Sequence, residues 1–184
     1  MPRFEIKIAG LGGQGIVLAG IVIGTAASIF GRKNATQSQS YGPEARGGSC
    51  KSEIVISDEE IDYPKTVKPD VLALMSQEAY NKYSSNLKKG GVIIYDPDMV
   101  QDVNPKKDVK LYPVPATRMA EEIGRKIVAN MVIVGAIVAL VQDLEIEWIE
   151  NAVEKNVPKG TEDLNIGAVR SGYHYTKNLL EGGK

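Results

Sequence analysis

Residues 4–30 read FEIKIAGLGGQGIVLAGIVIGTAASIF, and the order of events inside them decides the fold. Phe4, Ile6 and Ile8 alternate with Glu5 and Lys7, a period of two that predicts a strand over Phe4–Ala9 ending at Gly10. From Ile16 to Phe30 the chain is apolar apart from Gly20, Gly24, Thr25 and Ser28, which predicts a buried helix. Between strand and helix, Gly10, Leu11, Gly12, Gly13, Gln14 and Gly15 satisfy G-x-G-x-x-G. Glycines there let the backbone turn tightly, and a helix N-terminus offers unpaired N–H groups and positive partial charge to an anion.

Further strands are expected at Ser52–Ile56, Asp70–Met75 and Val92–Tyr95, the last stopped by the turn residues Asp96, Pro97 and Asp98. A weaker strand over Val109–Val114 belongs at an edge, because Pro113 withholds a backbone donor. The helical stretches are Gln77–Leu87, Thr117–Val141 with a break at Gly124, Glu145–Glu154 and Thr161–Leu180. Strands alternating with helices, and strands that are apolar rather than half-polar, predict an α/β, Rossmann-like fold. Its sheet is mostly parallel, with helices on both faces. The expectation is a single domain over residues 1–184, with NPKKD (104–108), including Lys106 and Lys107, as a surface loop.

Composition narrows the function. Lys and Arg total 22 against 23 for Asp and Glu, so nothing attracts nucleic acid or an anionic membrane. The apolar run 127–141, interrupted by Asn130 and Gly135, falls short of the roughly 20 residues of a membrane span, as does 16–30. MPRFEIKIAG (1–10) enters a strand at once and leaves no room for a signal peptide, so a soluble, cytoplasmic protein is expected. Cys50 stands alone and cannot supply the thiolates of an iron–sulfur cluster or a cysteine-rich zinc site.

The glycine motif lacks its usual companion. A dinucleotide site places an acid on the ribose roughly 20 residues beyond the loop. Residues 34–39 are neutral, and the first carboxylate after them is Glu44. Two readings stand side by side: Gly10, Gly12, Gly13, Gln14 and Gly15 bind a phosphate or other anion, or they only pack a helix closely on a strand. Glu44 itself lies in QSQSYGPEARGG (37–48), a polar stretch without hydrophobic periodicity that reads as an unusual loop.

No other group announces chemistry. His174, the only histidine, sits between Tyr173 and Tyr175 without an orienting partner and reads as a surface or packing residue. Cys50 beside Lys51 is either an activated thiol or simply buried. Asp58, Glu59, Glu60 and Asp62 read as a solvated turn rather than a metal loop.

IAGLGGQGIVLAG (8–20), TQSQSYGPEARGG (36–48), SEIVISD (52–58), PDVLALMSQEAY (69–80), VPATRMAEEIG (114–124) and NMVIVGAIVAL (130–140) together resemble the gamma subunit of 2-oxoacid:ferredoxin oxidoreductases. The resemblance implies a complex that oxidatively decarboxylates a 2-oxoacid to an acyl-CoA and CO2 and passes two electrons, singly, to ferredoxin. In that family thiamine pyrophosphate belongs to alpha and beta subunits, and 4Fe-4S clusters to a ferredoxin-like delta subunit or domain. This chain alone is therefore expected to hold no cofactor, and coenzyme A belongs to the complex. Leu11, where pyruvate-type chains tend to have arginine, and YGPEARGG resemble the 2-oxoglutarate type; branched-chain 2-oxoacids, pyruvate and indolepyruvate are the alternatives.

Within the resemblance, Ser40, Tyr41, Gly42, Pro43, Glu44, Arg46 and Gly47 form an interface element that completes or shields an active site built by partners. Arg46 has the planar fork to bind a carboxylate or phosphate, or it pairs with Glu44 to hold the loop's shape. Two rival readings remain: a purely structural assembly subunit, and a free-standing NAD-dependent dehydrogenase.

Overall fold

A computed structural model describes residues 2–42, 48–104 and 107–182. Six strands form one sheet in the order β2-β3-β1-β4-β5-β6. They are β1 (Phe4–Leu11), β2 (Asn34–Tyr41), β3 (Ser49–Ser57), β4 (Val71–Leu74), β5 (Val92–Tyr95) and β6 (Lys110–Pro113). Strand β1 runs parallel to β4, β4 to β5 and β5 to β6, so the sheet is mostly parallel. Strand β3 is antiparallel to β1 in a register from Phe4 opposite Ile56 to Leu11 opposite Ser49, and β2 is antiparallel to β3.

Period-two alternation splits the core. Ile6, Ile8, Ile54, Ile56, Ala73 and Met75 face the larger cluster, shared with helices α1 (Ile16–Thr25), α3 (Ala116–Ile123), α4 (Ala129–Leu140), α5 (Ile146–Asn156) and α6 (Glu162–Gly182). Ala9, Leu72, Leu74 and Ile93 face the smaller one, closed by Ala79 and Tyr80 of α2 (Gln77–Tyr83). Helix α4 is apolar all round because it lies in the middle of the helical layer, with every residue from Ala129 to Ala139 buried. No helix among the described residues is long and apolar enough to cross a membrane.

Several expectations need correcting. Residues 34–41, which span the neutral stretch 34–39 and the first residues of the loop expected over 37–48, are an edge strand. Periodicity fails there because β2 is half exposed and buries little of its own. Gln37 on its inner side spends its amide on the Ser52 hydroxyl, 2.9 Å away, beside Gly20 and Gly24 of α1. The helix expected over Ile16–Phe30 is α-helical only to Thr25 and ends in a π-helical turn, Ala26–Phe30. By contrast, the break expected at Gly124 within Thr117–Val141 is present: Gly124 at φ +116° ends α3, and a 3₁₀ turn, Lys126–Val128, leads into α4. Helix α2 stops at Tyr83, four residues before the expected Leu87.

Glu5 and Lys7, the polar half of the β1 alternation, are buried rather than solvated. The irregular segment 58–69 crosses them. Glu5 accepts hydrogen bonds from the Val67 and Lys68 amides at 2.7 and 3.0 Å. Lys7 Nζ lies 3.2 Å from Glu53 Oε1, and Lys51 Nζ 2.7 Å from Glu53 Oε2, with the Thr66 hydroxyl donating to the same carboxylate. Burial pushes the Glu53 carboxyl up, but the Lys51 and Thr66 hydrogen bonds and the Lys7 charge outweigh it and hold the group below its ordinary value.

Candidate functional site

The carboxyl ends of β1, β4 and β5 meet at one rim of the sheet, where open α/β folds place ligands. The glycine loop is built there by side chains as much as by glycines. Gln14 folds back so that its Oε1 accepts from the Leu11 amide at 2.6 Å, while its Nε2 donates to the Met75 carbonyl at 2.8 Å. One carboxamide thus ties the end of β1 to the end of β4. Gly15 turns into α1 at φ +72°, and Asn130 of α4 donates to its carbonyl at 3.1 Å. A methyl group on Gly15 would lie 2.4 Å from that Asn130 nitrogen, so the contact requires glycine.

Most donors of the loop are already used. The Leu11 amide serves Gln14, the Gln14 amide reaches the Leu11 carbonyl at 3.2 Å, and the Gly12 amide donates to the Gly48 carbonyl at 2.8 Å. The amides of Gly13 and Gly15 donate to nothing among the described residues. Gly13 borders a pocket of about 330 Å³ whose wall also includes Gln14, Met75, Met99, Lys126 and Ile127. Thr117 also lines it, but its amide and hydroxyl are committed to Asp96 at 2.8 and 2.6 Å, an arrangement that satisfies the start of α3. The pocket therefore offers two thioethers, one exposed ammonium and a spare amide. That chemistry suits holding a polar or anionic group and supplies no general acid or base.

The Gly12 to Gly48 bond joins the two motifs the sequence singled out. It extends the β1–β3 ladder beyond the Leu11–Ser49 pair, so the end of QSQSYGPEARGG lies directly against the glycine loop. Ser40 and Tyr41 end β2, with the Tyr41 ring exposed, and the Gly42 amide closes on the Ser49 carbonyl at 2.7 Å. Pro43, Glu44, Arg46 and Gly47 lie outside the described residues.

The lesser candidates take ordinary places. Cys50 is buried opposite Gly10, and burial pushes its thiol up, away from the activated thiolate that a neighbouring lysine favours. His174 is exposed on α6, edge-on to Tyr173 with ring centroids 5.6 Å apart. Asp58, Glu59, Glu60 and Asp62 are exposed, and Asp58 pairs with Lys33 at 2.8 Å. No group of three His, Cys, Asp or Glu side chains among the described residues is placed to hold a metal ion. Asn130 joins the site without having been among the expected site residues; its signal in the sequence is a polar side chain in an otherwise apolar helix.

Comparison with known proteins places this geometry. A model of the pyruvate ferredoxin/flavodoxin oxidoreductase family matches residues 5–175. The 2-oxoglutarate synthase subunit KorC of Methanocaldococcus jannaschii is 51% identical over 96% of this chain and 96% of its own length. Its namesake in Methanothermobacter marburgensis is 49% identical over 99% of this chain and all of its own. The solved keto/oxoacid ferredoxin oxidoreductase gamma subunit of Geobacter sulfurreducens is 42% identical, with a TM-score of 0.83 over 94% of this chain and 98% of that one.

Proposed function

The chain belongs to the pyruvate ferredoxin/flavodoxin oxidoreductase family as a gamma subunit of a 2-oxoacid:ferredoxin oxidoreductase, and on that footing we propose that its glycine loop and β2–β3 hairpin complete, at a subunit interface, an active site built by its partners. The oxoacid is 2-oxoglutarate, a reading supported by two 2-oxoglutarate synthase subunits that match at about half identity end to end. The complex converts 2-oxoglutarate and coenzyme A to succinyl-CoA and CO2, releasing one proton and passing two electrons to two ferredoxins. Its companions are alpha and beta subunits and a ferredoxin-like delta subunit or domain, in the cytoplasm.

One lone, buried cysteine does not fit an iron–sulfur cluster, so electron transfer belongs to other chains. This chain's part is to bind and to exclude water. The observation that carries the proposal is the 2.8 Å bond from the Gly12 amide to the Gly48 carbonyl, which presents hairpin and glycine loop as one surface beside the pocket. Arg46, in the same stretch of sequence, is to meet a carboxylate or phosphate of the reacting molecules, or a partner's acid.

Arg46→Ala in the reconstituted complex tests this. Turnover is expected to fall about tenfold, the order of one lost charge-assisted contact. Full activity with normal assembly removes the claim. The assembly-only reading draws support from the loop's self-satisfied donors, and it predicts weaker association with kcat unchanged once assembled.

A further inference from the structure

The 3₁₀ turn between α3 and α4 holds Ile127 in solvent at 62% exposure, although Val128 and Ala129 beside it are buried. The turn is not slack. The Val128 amide bonds to the Arg125 carbonyl at 3.1 Å, and Asn130 one turn on is pinned to Gly15. A branched aliphatic side chain is thus presented outward on a rigid support, where solvation disfavours it. On one side of Ile127 lies the pocket by the glycine loop. On the other is a second hollow of about 310 Å³, walled by Leu18, Val128, Pro158 and Leu164. The result is an apolar knob between two holes.

Two further features say what covers it. Asn130 and Asn165 line the second hollow and are themselves only 3% and 6% exposed. Each spends its amide nitrogen inside the chain, Asn130 on Gly15 and Asn165 on Thr161, and neither carboxamide oxygen accepts a hydrogen bond among the described residues. Both carboxamide oxygens stay open to solvent at the hollow, without a donor from the described residues, and are free to accept N–H groups from an occupant. Arg125 and Lys126 flank the knob. Arg125 has no ion pair among the described residues, and Lys126 has only a loose one, 3.7 Å from Glu121. No carboxylate among the described residues lines either hollow.

We propose that this turn is a docking knob for an extended segment of a companion catalytic subunit, one that brings an aliphatic side chain to the second hollow, backbone N–H groups to Asn130 and Asn165, and a carboxylate to Arg125. The inference rests on the gamma-subunit reading and adds which face of the chain meets its partner and what that partner's segment carries.

Ile127→Ser and Arg125→Glu are mixed in titration with the purified companion subunits, and association is followed by sedimentation. Both positions are exposed, so circular dichroism and Tm are expected to match the unaltered chain. Association is expected to weaken tenfold or more in each variant. Salt is expected to weaken the unaltered complex, and Arg125→Glu is expected to lose that dependence. Ile29→Ser, an exposed aliphatic on the π turn, is the control and is expected to assemble normally.

Unchanged association in both variants overturns the inference while leaving the gamma-subunit role intact. An unaltered chain that joins no companion subunit overturns both. Loss of self-association, with companion binding preserved, makes the occupant a second copy of this chain and overturns the assignment. Variants that assemble normally but lose a small molecule from the hollow overturn it equally.

Discussion

Gly15→Ala puts a magnitude on the arrangement of the glycine loop. Gly15 has φ +72°, where an alanine costs about 1–2 kcal/mol, of which about 0.4–1 kcal/mol is returned because alanine narrows the unfolded ensemble. A second cost is steric. The new methyl would stand 2.4 Å from Asn130 Nδ2 and 2.8 Å from its Cγ, so the side chain must leave and its bond to the Gly15 carbonyl with it. Overpacking of this kind costs about 1–3 kcal/mol and the lost hydrogen bond about 1 kcal/mol. The expected total is about 3 kcal/mol.

Gly13 isolates the first of these terms. It too has positive φ, +95°, but an added methyl meets nothing within 4 Å. Gly13→Ala is therefore expected to lose only about 0.5–1 kcal/mol. Asn130→Ala closes the cycle, because in the Gly15→Ala background it relieves the clash; the coupling between the two sites is expected at about 1–2 kcal/mol. Urea unfolding followed by circular dichroism measures the unaltered chain and all four variants. Equal losses at Gly13 and Gly15, or an additive cycle, would refute the claim that Asn130 shapes the loop.

Other consequences are as direct. A methyl on Gly172 would sit 2.0 Å from the Val132 carbonyl oxygen of α4, whereas one on Gly167 of the same helix meets open space. Gly172→Ala is expected to destabilise by about 3 kcal/mol or more, and Gly167→Ala to stabilise by about 0.5–1 kcal/mol, both read in the same unfolding assay. Glu53→Gln leaves the buried Lys7 ammonium without its counter-charge and is expected to cost about 3–5 kcal/mol at neutral pH. Because the folded carboxyl titrates below its ordinary value, that stabilisation is present above the unfolded value and fades as pH falls through the folded one. The gap between Glu53→Gln and the unaltered chain should therefore close on the acid side, and a gap that widens in acid would contradict the assignment. Calorimetric titration of the isolated chain with NAD is expected to show no binding, since the strand beside β1 on that side is antiparallel β3 and offers no ribose acid.

Much of the fold was legible because it is local. Glycines at 10, 12, 13 and 15 between a strand period and a helix period announce strand, turn and helix within 30 residues, and Gly124 announces the break that the backbone makes there at φ +116°. The motif set from residue 8 to residue 140 led to the family independently of any contact. Strand β2 was illegible for a physical reason: an edge strand needs hydrogen bonds on one side and no apolar face, so NATQSQSY carries no periodicity to read.

Sequence by itself determined the α/β alternation, the glycine turn, the absence of enough thiols for a cluster, and the family. All follow from residue types and short spacings. Tertiary structure alone decided that Glu5 and Lys7 are buried under segment 58–69, that Asn130 fills the space a side chain on Gly15 would need, and that Gly12 is bonded to Gly48. Each of these joins residues distant along the chain. Burial and hydrogen bonding between such residues are set by sheet order and helix packing, and no local pattern of polar and apolar residues encodes them.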